Sequence, residues 1–125
     1  MKKIVALPSM ECEFEIDVQG SETDQNFKGI FKYKRLTLGK RMEAAKMKCK
    51  LSEDLKTLPD DVLMYNEMVS ELRYGIIEYP DWWKNSNFGL DLYDVNIITA
   101  LYKEIQNFEN EWEEKVYKNK EEKNK

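Results

Sequence analysis

The sequence predicts an α+β fold, an N-terminal antiparallel β-hairpin followed by three α-helices, the last one long. Three observations carry that expectation. Apolar and polar residues alternate across 11–18 and again across 27–34, the period of half-buried strands. From residue 38 onward the apolar residues recur at steps of three and four, the period of helices packed along one side. Turn-forming residues separate the two strands and, further on, the second and third helical stretches. With 125 residues, 42% of them hydrophobic and 12% aromatic, the chain has the size and apolar content of one domain. The expected organisation is a single domain over 1–117 and a charged, flexible tail over 118–125.

In the first strand, Glu11-Cys12-Glu13-Phe14-Glu15-Ile16-Asp17-Val18, every even position is apolar and every odd one acidic. The second, Phe27-Lys28-Gly29-Ile30-Phe31-Lys32-Tyr33-Lys34, turns Phe27, Phe31 and Tyr33 inward and lysines outward, with Ile30 interrupting the polar face. Gly20 to Asn26 is turn-rich, so residues 11–35 read as a hairpin with a long loop. An acidic strand beside a basic one forms cross-strand ion pairs worth roughly a few tenths of a kcal/mol each, which mainly set register. A bare hairpin is marginal, so Phe14, Ile16, Phe31 and Tyr33 are expected to dock on the helices.

The first helix is expected over 38–51, with Thr37 as N-cap and Leu38, Met42, Ala45 and Cys49 as its core face. The second is expected over 58–79. It starts at Thr57-Leu58-Pro59-Asp60 and runs through Val62, Tyr65, Val69, Leu72, Ile76 and Tyr79, with Met68 and Ile77 widening the stripe. Pro80 ends it, and Gly75 inside it implies a close packing neighbour. The third is expected over 91–117, opened by Asp91 with Asp94 as capping partner and seamed by Val95, Ile98, Leu101, Ile105, Phe108, Trp112 and Val116. Such a helix is about 40 Å long at 1.5 Å per residue. Its distal part therefore either projects beyond the core or lies along the hairpin.

The residue inventory narrows the chemistry. There is no histidine, which removes the usual general base, the commonest zinc ligand and every Ser-His or Cys-His pair. Cys12 and Cys49 are expected as buried free thiols. No CxxC, EF-hand or glycine-rich phosphate loop occurs. Asp81, Asp91 and Asp94 read as a turn acid, an N-cap and a first-turn acid rather than as metal ligands. The expectation is a protein without catalytic, cofactor or metal residues. No apolar run reaches the ~20 residues of a membrane helix, and the apolar stretch after Lys3 is too short for a signal peptide. A cytoplasmic location is expected.

The net charge of −4 hides a bipolar chain. Residues 28–50 hold nine Lys or Arg against Glu43 alone, while the segments on either side are acidic. Such a block suits nucleic acid or the acidic parts of the same fold. The strand lysines favour the second use, whereas Lys40, Arg41, Lys46, Lys48 and Lys50 in the first helix keep the first open.

Between the second and third helices lies Tyr79-Pro80-Asp81-Trp82-Trp83-Lys84-Asn85-Ser86-Asn87-Phe88-Gly89-Leu90-Asp91-Leu92. It is dense in aromatics and turn formers at once, and Asn87-Phe88-Gly89 suits a turn with Gly89 at positive φ. Paired tryptophans there either fold back as a plug or face a partner.

This segment, the Asn-Phe-Gly-Leu-Asp-Leu-Tyr-Asp-Val-Asn run of residues 87–96, the hairpin before them and the long acidic helix with Glu111-Trp112 resemble the tail assembly chaperones of tailed bacteriophages and prophages. The likeness spans roughly residues 11–117 and rests most on Pro80 to Asn96. It implies a non-enzymatic protein of the host cytoplasm that binds the long, helical tape-measure protein and keeps it soluble until the tail tube polymerises around it. Many such chaperones are made in two lengths by a programmed frameshift, and Lys118-Asn119-Lys120 and Lys123-Asn124-Lys125 are residues that A-rich slippery codons encode. On this reading the expected partner contacts are Trp82, Trp83 and Phe88, with Tyr102 and Trp112 on the third helix, helped by adaptable methionines such as Met42, Met47, Met64 and Met68. The partner would be the tape-measure or another tail protein, with a homo-oligomer possible. Two other readings compete: a structural or adaptor subunit of the virion, such as a head–tail connector, and a nucleic-acid-binding module using residues 28–50.

Overall fold

The computed structural model describes residues 8–53 and 59–123, the last five as backbone only. Its elements run β1 (Glu11–Gln19), β2 (Asn26–Lys34), α1 (Leu38–Leu51), α2 (Asp60–Gly75), β3 (Ile76–Glu78), α3 (Asp81–Asn85) and α4 (Val95–Lys123). The class is the expected α+β, with a hairpin first and a long helix last. The sheet gains a third strand and has the antiparallel order β1-β2-β3.

Register in the hairpin follows the alternation. Cys12 faces Tyr33, Phe14 faces Phe31 and Val18 faces Phe27, and the Phe14 and Phe31 rings stack at 5.7 Å. On the outer face Lys28 reaches Glu15 at 3.9 Å and Lys32 reaches Glu11 at 3.5 Å. Both pairs are diagonal, since the residues directly opposite are Asp17 and Glu13. Ile30 stands exposed on that face. The apolar face of the sheet closes on α2, α3 and α4, and Phe31, Leu72, Trp83, Ile97 and Leu101 are wholly enclosed.

Helix α2 stops four residues earlier than its periodicity implies. The Tyr33 ring occupies the place a Cβ would take at Gly75, so the expected close neighbour of this glycine is a β2 side chain. Immediately after it, β-branched Ile76 and Ile77 leave the helix as β3, with Ile76 opposite Tyr33 and Glu78 opposite Lys32. This satisfies the backbone on the second edge of β2, which a helix could not do. Tyr65, Val69, Leu72 and Ile76 point to the core as expected, whereas Val62 is exposed. The expected start at Thr57 and Leu58 lies outside the described residues.

The bounds of α1 are those expected, and Thr37 caps it by accepting from Lys40 N. Its orientation is not. Ala44 is the buried residue and Met47 packs on the core, while Leu38, Met42, Ala45 and Cys49 all face outward. Ala44 is small enough to let α1 approach α2 closely, and Lys48 crosses to Glu67 at 3.8 Å. Of the two thiols, Cys12 is half-buried and Cys49 exposed, against the expectation that both are enclosed.

Helix α4 begins at Val95 rather than Asp91 and its backbone continues to Lys123, so residues 118–123, expected as a flexible tail, extend the helix. Its start is displaced because Asp94 is engaged elsewhere. The buried Asp94 carboxylate accepts from Glu22 N at 2.7 Å, from Thr23 N at 2.9 Å and from the Thr23 hydroxyl. Asn96 adds bonds to Gln19 O at 2.9 Å and from Ser21 N at 3.0 Å. Together they clasp the β1–β2 loop to the head of α4, against a Gly20 where any Cβ would strike the Asp94 carboxylate.

Candidate partner-binding surface

The aromatic segment folds back on the sheet. Pro80 precedes α3 and packs over Gly29, where a Cβ would sit 2.6 Å from the proline Cγ. That close approach drops Trp83 into the core, edge-on to Phe31 at 5.9 Å. Trp82 is half-buried: its ring meets Phe27 at 5.1 Å and Phe31 at 5.7 Å, and its Nε1 donates to Lys28 O at 2.9 Å. Asn87, Phe88 and Gly89 all have positive φ, of 55°, 54° and 92°. The Ser86 hydroxyl, donating to Trp83 O and accepting from Gly89 N, staples this turn shut. Phe88 is then held between the Tyr79 ring at 5.5 Å and the Arg73 guanidinium at 3.9 Å. Trp83 therefore offers no surface to a partner, and Trp82 and Phe88 offer only their edges.

On α4, Tyr102 and Trp112 are also half-buried. The Tyr102 hydroxyl faces Glu71 of α2, and burial first, then the neighbouring carboxyl, raise its pKa. Burial likewise raises the Glu71 carboxyl above its usual range, while the Tyr102 hydroxyl opposes the rise. Trp112 lies under the Arg35 guanidinium at 3.6 Å and donates to Pro8 O at 3.3 Å. Arg35 also reaches Glu109 at 2.8 Å, and the Tyr33 hydroxyl donates to the other Glu109 oxygen at 2.7 Å. Of the two expected arrangements for distal α4, packing along the hairpin holds as far as Trp112. Beyond it Tyr117 is exposed. The five residues expected to contact a partner thus lie in three structural settings, with Trp82, Trp83 and Phe88 in one and Tyr102 and Trp112 each in its own, rather than in one patch.

Exposed apolar side chains occur on both ends of the α1–α2 pair. Leu38 is 76% and Met42 55% exposed on α1, near the end of α2 where Lys40 lies over Tyr74, and Val62, Leu63 and Met64 are exposed at the opposite end, where α2 begins. Basic residues surround the α1 positions. Beneath α1 runs a cleft of about 330 Å³ lined by Leu36, Arg41, Glu71, Gln106, Glu109 and Glu113, a polar groove that leaves α1 standing off from α4. The sequence carries one signal for this arrangement. Ala44, Met47 and Leu51 make a second apolar stripe at helical spacing, so α1 has one apolar line more than its single packing contact requires.

Among the described residues, no group of three or more Cys, Asp or Glu side chains is arranged to hold a metal ion, and no helix is long and apolar enough to cross a membrane. Comparison with protein-family models, with curated proteins and with solved structures finds no match for this chain.

Proposed function

We propose that this protein is a non-enzymatic assembly chaperone of phage tail morphogenesis, which binds the tape-measure protein in the host cytoplasm and holds it soluble while the tail tube forms. One observation carries the binding role: Leu38 and Met42 stand exposed on the outer face of α1, among basic residues. Exposed apolar side chains that neighbour one another on a helix face suit a partner, and methionines adapt to varied apolar helices. The resemblance of residues 11–117 to tail assembly chaperones supplies the partner. In this reading the tryptophans frame the fold, and α1 makes the contact. The test is mass spectrometry of the protein affinity-purified from its native genetic context. A co-purifying long helical protein, or a C-terminally extended second form, supports the chaperone; a protein recovered only in assembled particles rejects it.

The end of α4 past Trp112, with Tyr117 exposed, favours a second reading as a virion adaptor subunit. Stoichiometric presence in finished particles distinguishes it, since an assembly chaperone leaves. Nucleic-acid binding through residues 28–50 is less favoured, because Lys28, Lys32 and Lys48 already face Glu15, Glu11 and Glu67. Failure to bind DNA or RNA at ~50 mM salt removes it.

A further inference from the structure

Helix α1 is apolar on two sides. Its inner side sets Ala44 in the interior and Met47 on the core. At about 100° per residue, Leu38, Met42, Ala45 and Cys49 fall on one narrow line almost opposite, and all four are exposed. The same geometry puts Lys46 along the border of that line away from α2, with Lys50 just behind it, while Arg41 on the other border leans into the cleft with Glu71 and Glu109. Glu43 is the sole acid of the helix and meets Lys46 at 3.6 Å. Among the described residues Lys50 makes no ion pair, so the Lys46–Lys50 border of the line keeps net positive charge.

An apolar line between charged borders is one half of a two-helix seam, in which central side chains interlock and flanking charges choose the partner. The other half must be apolar in the middle and acidic at the edges. A basic helix, or a second copy of α1, would set like charges face to face. A nucleic acid would leave Leu38 and Met42 against phosphate. We infer that the outer face of α1 is a docking surface for an acidic amphipathic α-helix of a partner protein. With 14 residues, α1 offers about 21 Å of seam, enough for three or four anchor side chains of the incoming helix. The inference rests on the partner-binding role proposed above and narrows it to one helix and one partner chemistry.

The test uses the full chain and two synthetic helical peptides that share a leucine stripe, one bordered by Glu and the other by Lys. The Glu-bordered peptide is expected to bind, to slow iodoacetamide alkylation of Cys49, and to bind more weakly as salt rises. Leu38→Glu/Met42→Glu, at exposed positions and checked for folding by circular dichroism, should weaken it at least about tenfold. Lys46→Glu/Lys50→Glu should weaken the Glu-bordered peptide and strengthen the Lys-bordered one; it carries the same test should the first variant fail to fold. Equal binding of both peptides, binding undiminished by Leu38→Glu/Met42→Glu, or unprotected Cys49 overturns the inference. So does a wild-type dimer that Leu38→Glu/Met42→Glu converts to monomer, since a second copy then covers the face. Tape-measure protein captured equally by wild type and by Leu38→Glu/Met42→Glu keeps the chaperone and removes the α1 docking site. Binding of the Glu-bordered peptide by a protein that captures no tape-measure protein keeps the docking site and removes the chaperone.

Discussion

Asp94 does for this fold what a bound anion does for a loop of free backbone amides. Hydrogen bonds from the Thr23 side chain, opposed by burial and reinforced by the backbone of Thr23 and Glu22, lower its pKa below the ordinary aspartate value. A depressed carboxylate contributes stability that is present above its unfolded pKa, 3.8 for an ordinary aspartate, and lost as pH falls through its lower folded pKa. Urea midpoints of wild type and Asp94→Ala should therefore differ most at pH 5–7 and converge as pH drops below about 4; a gap that is unchanged at pH 2 would mean that the charge is not what holds the clasp. Trp83 sets the other limit at this scale. Trp83→Ala should cost about 3–5 kcal/mol in denaturant unfolding, whereas Trp82→Phe, losing chiefly the bond to Lys28 O, should cost about 1 kcal/mol. Comparable losses would contradict the different burial of the two rings. The thiols differ as well: burial, with Glu104 and Glu109 nearby, pushes Cys12 up to about 11. Iodoacetamide at pH 8 should accordingly modify the exposed Cys49 first, as peptide mass mapping can read. The aromatic density of residues 79–92 was plain in the sequence. The role of Asp94 was not, because its donors lie more than seventy positions upstream and local capping rules describe only neighbours.

Among the elements, the two helical glycines separate backbone propensity from packing. Gly39 has nothing within 4 Å of a Cβ position, so Gly39→Ala should stabilise the protein by about 0.4–1 kcal/mol. Gly75 is met by the Tyr33 ring, so Gly75→Ala should destabilise by about 1–3 kcal/mol despite better helix propensity. Thermal unfolding of both variants tests the pair, and a stabilised Gly75→Ala would show that Tyr33 can move aside freely. The same contact explains where periodicity misled. Ile76 and Tyr79 continue the helical spacing of Val69 and Leu72, yet a strand also alternates, and the unpaired edge of β2 decides between the two readings. That edge is a property of the sheet, which no window along α2 contains. The hairpin, by contrast, was legible to within one residue at its turn, since its two strands are neighbours in sequence and a period of two admits one inward face. In α1 two apolar lines of similar quality compete. The larger side chains suggested the wrong one, because the inner position favours a small residue where helices cross closely.

Across the whole molecule, burial is unevenly shared. The sheet, α2, α3 and α4 each contribute side chains to one core, whereas α1 commits Ala44 to the interior and rests Met47 on its margin. Among the described residues its polar ties to α2 include the Lys48–Glu67 pair, Lys40 over the Tyr74 ring at 5.9 Å, and, just past its end, the bond from Asn66 Nδ2 to Ser52 Oγ at 3.0 Å. An exposed ion pair such as Lys48–Glu67 adds little, so α1 should open at a free energy well below that of global unfolding. Hydrogen exchange followed by mass spectrometry should find the amides of Lys46 to Leu51 exchanging well before those of Leu101 to Ile105. Trp83→Ala should accelerate the second set and leave the first nearly unchanged, because only the second opens with the core. If both sets exchange in one cooperative step, α1 is an integral part of the fold and its outward apolar line needs a structural explanation. If α1 opens alone, the fold has a rigid body that supplies stability and a lightly held basic helix with apolar side chains in water. A partner seated on that helix would then protect its amides in proportion to occupancy, which ties the exchange of α1 directly to binding.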